Sequence, residues 1–136
     1  MIPADVKLPD VLMMLGDLNY RINGFKKSVA QAIQQNRYDL LVKCDQLNIE
    51  RALGNLPGFF QEGEIAFAPT FKRKEYDNLT FGLKRNPAWT DRILFFYKDD
   101  DEFPNTLEQK MYDSHNLVNF SDHRPVFGQF LYHVNL

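Results

Sequence analysis

A chain of 136 residues, 44% apolar and 14% aromatic, is long enough for one domain with a real core and too apolar for a disordered segment. Its 16 Lys and Arg nearly balance 18 Asp and Glu, so overall charge strongly favours neither nucleic acid nor an anionic membrane and anion binding falls to local patches. The single Cys44 allows no internal disulfide; no secretory leader pattern opens the sequence and no apolar run approaches the ~20 residues that span a bilayer, which together point to a cytoplasmic setting without a transmembrane anchor.

Residues 11–15 (Val-Leu-Met-Met-Leu) form a continuous apolar run closed by Gly16-Asp17, read as a buried strand that delivers Asp17 and Asn19 at its carboxyl end. Residues 28–35 carry Val29, Ala30 and Ile33 at helical spacing with Ser28 as N-cap. A second helix is predicted over 39–53, where Leu40, Leu41, Cys44, Leu47 and Ala52 recur with a period near 3.6 and Gly54 follows as a stop. In the Gly-, Pro- and Phe-rich stretch 56–70, residues 64–69 alternate as a short strand halted by Pro69. Residues 72–87 are polar and basic with Asp77-Asn78 as a turn signal, hence a surface loop. Two further strands are predicted at 93–97 and 126–134, with the acidic run 99–102 between them as a solvated turn. No internal repeat is visible, and strands mixed irregularly with two helices indicate an α/β or α+β layered fold.

Three short segments place a carboxylate beside strand-like apolar runs: Gly16-Asp17-Leu18-Asn19-Tyr20-Arg21, Pro87-Ala88-Trp89-Thr90-Asp91-Arg92-Ile93-Leu94 and Ser121-Asp122-His123-Arg124-Pro125-Val126. Together they point to metal-assisted phosphate chemistry. Asp17 and Asn19, two apart on an extended strand end, would face one side and hold a water or a phosphate oxygen between them; an Asx turn after the strand is the ordinary alternative. In Asp122-His123, neighbours facing opposite ways, the carboxylate suits Mg²⁺ and the imidazole a phosphoryl oxygen or a proton transfer. His115 and His133 lack such neighbours and read as surface or core residues. Asp91 is either half of a surface pair with Arg92 or the group that orients His123. Lys72-Arg73-Lys74, Lys84-Arg85 and Arg92 are either a solvated basic loop or cations converging on a multiply phosphorylated substrate. Trp89 reads as packing the loop onto the core.

On these residues the sequence resembles the inositol polyphosphate 5-phosphatases of the endonuclease/exonuclease/phosphatase superfamily. The segments that carry the resemblance also include Asp45-Gln46-Leu47 and the run from Glu62 to Lys72, and Pro-Ala-Trp-Thr-Asp-Arg-Ile-Leu is the part particular to the 5-phosphatases. The resemblance implies a four-layer α/β sandwich and Mg²⁺-dependent hydrolysis of the 5-phosphate of phosphoinositides or soluble inositol polyphosphates. Asp17 would then activate the attacking water, Asn19 would position it or the phosphate, His123 would contact the scissile phosphate with Asp91 as its partner, and Asp122 would sit at the metal. Arg21, Lys72, Lys84, Arg85 and Arg92 would meet the substrate's phosphates. Nucleic acid is not an expected partner; a cytoplasmic protein with peripheral contact at the cytosolic face of membranes is.

Phe71 stands where the family commonly has Tyr, and Arg124 replaces a frequent Lys conservatively. A larger departure is that family members continue upstream of the Gly-Asp-X-Asn strand, with a segment that supplies a metal-binding Glu, an Asn and a further catalytic His. Residues 1–136 are therefore expected to be the C-terminal part of the catalytic domain, the missing N-terminal half lying upstream or in another chain, with one sheet face uncovered and little activity from this chain alone. A non-catalytic phosphoinositide- or inositol-phosphate-binding fragment is the alternative.

Overall fold

A computed structural model describes residues 7–77, 80–82, 84–98 and 106–134. In chain order the elements are β1 (Val11–Asp17), α1 (Lys26–Gln34), α2 (Tyr38–Val42), α3 (Gln46–Ala52), β2 (Asp91–Tyr97), β3 (Thr106–Ser114) and β4 (Val126–His133). The fold is mixed α/β, as predicted. Apolar 11–15 and 93–97 pair antiparallel as β1 and β2, with Val11 opposite Tyr97 and Asp17 opposite Asp91. β3 and β4 form a second antiparallel pair, from Thr106 opposite His133 to Ser114 opposite Val126, with a bulge between Gln109 and Met111.

The two pairs meet where Phe95 of β2 crosses Phe130 of β4 edge-on, ring centroids 5.1 Å apart. Gly128 permits that approach: a Cβ there would lie 2.8 Å from the Phe130 ring and 3.4 Å from Ile93 Cδ1. Ile22, Val29, Leu41, Ile65, Phe67, Ala88 and Trp89 make the other core cluster, under α1 and α2. Trp89 is fully buried and its Nε1–H donates to the Phe67 carbonyl at 3.0 Å, so it packs its segment onto the core as expected.

Several elements depart from the sequence reading. β1 is a strand but not a buried one: Met13 is 40% and Leu15 65% exposed, because among the described residues β1 has only β2 beside it. α1 starts two residues before Ser28; Phe25, in extended conformation, is the N-cap and makes no side-chain cap bond. The single helix predicted over 39–53 is two helices, because Asp45 takes an extended conformation, bridges Ile22 and caps α3 by accepting the Asn48 N–H at 3.1 Å. That break resets the apolar phase, so Leu41 and Leu47 are buried while Leu40, Cys44 and Ala52 are exposed. Residues 64–69 form no strand; Ile65 and Phe67 enter the core at alternate positions, but the local pairing is an isolated bridge from Gln61 to Phe95. β3 was not anticipated, since its bulge breaks the period-two pattern of 106–114. The acidic run 99–102 lies outside the described residues.

Candidate active site

The register of β1 and β2 sets Asp17 directly opposite Asp91, so both carboxylates rise from one end and one face of the pair. Gly16 just before takes φ 130°, a conformation that side chains rarely adopt. The ladder continues by one bond, Leu18 N–H to the Thr90 carbonyl at 2.8 Å. The chain then turns: Asn19 sits at φ 61° and donates its backbone N–H to Asp17 Oδ1 at 2.9 Å. Asp17 and Asn19 are thus joined through an Asx-type turn and not ranged side by side on an extended strand. The Asn19 amide oxygen instead accepts from the Arg21 guanidinium.

His123 is brought to the same place by the 115–125 loop. Arg73 N–H bonds the Asp122 carbonyl at 2.8 Å and Arg124 N–H the Thr70 carbonyl at 3.0 Å. The buried Arg124 guanidinium reaches the carbonyls of Ser121, His123, Lys74 and Asp77 at 2.6 to 3.2 Å, a fork that a lysine cannot reproduce, so Arg124 is not the conservative replacement it seemed. His123 Nδ1 lies 2.9 Å from Asp91 Oδ2 and 3.2 Å from Oδ1. Asp91 Oδ2 also accepts the hydroxyls of Thr70 and Thr90, each at 2.9 Å. Three donors on one carboxylate keep it aimed, which favours the Nδ1–H tautomer of His123 and leaves Nε2 for other work. Ligand atoms of Asp17, Asp91 and His123 all fall within 4.8 Å of one another.

The predicted site residues separate into those that join this cluster and those that do not. Asp17, Asn19, Asp91, His123 and Arg21 join it. Arg21 lies over the Phe71 ring at 4.4 Å, and that ring packs on the His123 imidazole at 4.7 Å; Arg21 Nη1 is buried without a hydrogen-bond partner among the described residues. Asp122 is adjacent, but its carboxylate is ion-paired with the Lys72 ammonium, whose hydrogen bond holds the Asp122 carboxyl below the usual carboxylate range. Asp122 is therefore not among the three clustered ligand atoms. Lys84 and Arg85 are exposed.

Arg92 is placed quite differently. Following Asp91 on β2, it points to the opposite face, where its fully buried guanidinium bonds Glu62 at 2.6 and 2.8 Å and Asp45 at 2.8 Å. Burial works against its charge, but Glu62 and Asp45 outweigh it and raise the guanidinium's proton affinity. It cannot meet a substrate there, and with Arg73 also buried the predicted cations do not converge on one point. Thr70 and Thr90, which hold Asp91, were missed. Thr90 could have been noticed as a hydroxyl adjoining a carboxylate; Thr70 becomes a neighbour only through the fold.

The sequence matches Endonuclease/Exonuclease/phosphatase family 2 over residues 3–129, and the chain belongs to that family. Among curated relatives it is 40% identical over 131 residues to type IV inositol polyphosphate 5-phosphatase 11 of Arabidopsis thaliana, covering 93% of this chain and 38% of that protein. It is 43% identical over 123 residues to synaptojanin of Caenorhabditis elegans, covering 89% of this chain and 11% of that one. Among solved structures it aligns with the inositol polyphosphate 5-phosphatase domain of SPsynaptojanin in complex with inositol (1,4)-bisphosphate and calcium ion, at TM-score 0.74 and 33% identity over 92% of this chain and 36% of that one. A Cimex nitrophorin ferrous NO complex aligns at TM-score 0.80 and 30% identity, covering 89% of this chain and 41% of that one. The chain thus spans well under half the length of these relatives. Because one of them is a ferrous NO-binding protein, fold alone does not assign the chemistry, and the side chains must.

Proposed function

We propose that this chain is part of an inositol polyphosphate 5-phosphatase catalytic domain, the part that carries the proton-handling groups for hydrolysing the 5-phosphate of phosphoinositides or soluble inositol polyphosphates. The observation that carries the reading is the convergence of Asp17 with the Asp91–His123 pair within 4.8 Å, beside the unspent donor of Arg21. The names of the curated relatives support the substrate class. Exposed Asp17 takes the proton of the attacking water, its carboxylate accepting the Asn19 N–H and remaining open to solvent. His123 presents Nε2 to the phosphoryl group, and Asp91 stabilises the imidazolium when a proton arrives. Arg21 pairs with a phosphate oxygen while Asn19 keeps it in place. Water adds to phosphorus, the inositol oxygen leaves with a proton, and inorganic phosphate and the alcohol are the products.

Mg²⁺ takes oxygen donors and retains several waters, so one or two carboxylates suffice to hold it. Asp122 is the carboxylate assigned to the ion, which it would meet by releasing the Lys72 ammonium it now holds. The ion would supply positive charge to the phosphoryl oxygens. No helix among the described residues is long and apolar enough to cross a membrane, and a peripheral position at the cytosolic face suits an enzyme of lipid headgroups.

Phosphate release from vesicles containing phosphatidylinositol 4,5-bisphosphate, with Mg²⁺ and with EDTA, tests the reading. The expected result is Mg²⁺-dependent release, slow from this chain and fast from a complete catalytic domain, lost in Asp17→Asn and in His123→Ala. Full activity in both variants would overturn the assignment. Vesicle binding without release from the complete domain would favour the non-catalytic alternative.

A further inference from the structure

We propose that Phe25 and the cations beside it form a docking surface for an anionic lipid bilayer. Phe25 is 86% exposed at the turn into α1 and is followed by exposed Lys26 and Lys27. Exposed Lys84 and Arg85 lie next to them, because the Lys26 ammonium donates to the Lys84 carbonyl at 3.4 Å and the Asn86 side-chain amide to the Gly24 carbonyl at 2.9 Å. Two stretches remote in sequence thus bring Lys26, Lys27, Lys84 and Arg85 together with one projecting aromatic ring. Neither stretch supplies an acidic residue of its own, since no Asp or Glu occurs at 18–38 or at 78–90. An apolar ring flanked by cations suits entry into the headgroup region, with Lys and Arg meeting the anionic heads.

The local structure gains nothing from this arrangement. Phe25 is the N-cap of α1 but offers no side-chain acceptor to the first N–H groups of the helix, as Ser or Asp would. Lys26 and Lys27 occupy the first turn, where the helix dipole disfavours positive charge, and no acidic residue shares that turn. Nor does Phe25 join the core, which under α1 is made by Val29 with Ile22, Leu41 and Trp89. An uncapped helix end with an exposed ring is explained by a partner outside the fold. At 86% exposure the ring projects outward and does not lie in a groove, which suits a deformable lipid interface better than a shaped protein pocket.

The surface borders the candidate active site. Gly82 N–H donates to the Lys72 carbonyl at 2.8 Å, and the Lys72 ammonium meets Asp122 next to His123. From the other side, the segment after Asn19 and Arg21 leads into the Phe25 turn. A bilayer held at Phe25 would therefore present its headgroups beside Asp17 and His123. That last step rests on the phosphatase reading, whereas the docking itself does not.

Sedimentation of the chain with vesicles of phosphatidylcholine and phosphatidylserine, which contain no inositol lipid, tests the docking apart from any phosphatase activity. Binding is expected to these vesicles and not to phosphatidylcholine alone, and it should weaken as salt rises. Phe25→Ser should lower the affinity by at least about tenfold while raising the denaturation midpoint, because it removes the apolar anchor and adds a cap. Lys27→Gln should lower the affinity by about fivefold. Phe25→Trp should keep the binding and shift its fluorescence to the blue when vesicles are added, against the constant background of fully buried Trp89. Docking without phosphate release would support this proposal and overturn only the phosphatase reading. No binding to the phosphatidylserine vesicles, equal binding to neutral ones, unchanged affinity in Phe25→Ser or no blue shift in Phe25→Trp would each overturn the proposal. So would poly-glutamate binding as tightly as the vesicles, the sign of an acidic protein partner.

Discussion

Asp91 and Arg92 are neighbours on β2, yet each centres a charged constellation of a different kind. On one face Asp91 gathers Thr70, Thr90 and His123 next to exposed Asp17, and the side chains of Asp91 and His123 keep 21% and 30% of their surface open. On the other, Arg92 is closed off among Asp45, Glu62, the Trp89 carbonyl and Tyr112, whose hydroxyl donates to Glu62 at 2.9 Å. The open constellation can exchange partners with a substrate. The closed one directs its ion pairs inside the protein, leaving Asp45 Oδ2 buried without a hydrogen-bond partner among the described residues, and breaking it strands a buried charge. A strand that alternates faces therefore lets two consecutive charged residues serve chemistry and folding without interference.

The largest effect should come from breaking the open side. In a complete catalytic domain His123→Ala should lower turnover by about 10²–10⁴-fold while moving the denaturation midpoint little, since this imidazole is partly exposed. A variant with matching losses of stability and turnover would place His123 in the wrong constellation. Arg92→Met tests the closed side: removing the guanidinium leaves Asp45 and Glu62 buried together and should cost about 3–5 kcal/mol of folding free energy by denaturant titration. An unchanged midpoint would mean that Arg92 is not the structural hub described above.

Thr70→Val sharpens the boundary between the two. Asp91 loses one of its donors, worth about 1 kcal/mol, so turnover should fall roughly fivefold with KM little changed, because the effect acts on His123 and not on substrate contact. The smallest effect concerns Lys72 and Asp122, whose side chains are 34% and 29% exposed, and it should be at most about 1 kcal/mol. The folded carboxyl of Asp122 titrates below its unfolded value of about 3.9, so the pair's contribution is present above that pH and disappears as pH falls through the lower, folded value. Lys72→Met should flatten that part of the acid-stability profile and leave the neutral range almost unchanged.

Much of the site was legible because its chemistry sits in short contiguous segments. Gly16-Asp17-X-Asn19, Thr90-Asp91 and Asp122-His123 each end or adjoin an apolar run, and a carboxylate at a strand end is visible from local pattern alone. The helix boundaries were less legible: the apolar rhythm over 39–53 continues across Asp45, and only the bridge to Ile22 and the buried pairing with Arg92 explain why the chain breaks there. β3 escaped for a similar reason, its alternation being interrupted by one bulged residue. The basic residues were the least legible, because Lys72, Arg73, Lys84, Arg85 and Arg92 look alike in sequence while one is ion-paired, two are buried and two are exposed.

The sequence by itself determined the class of fold, the family and the carboxylates and imidazole that meet, because residue type and local spacing encode strand ends and proton-handling groups. Tertiary structure alone decided that Thr70 holds Asp91, that Asp122 faces Lys72, and that Arg92 turns inward. Each depends on which face of a strand or loop a side chain occupies and on what comes to lie opposite it from elsewhere in the chain, and neither is written in local order.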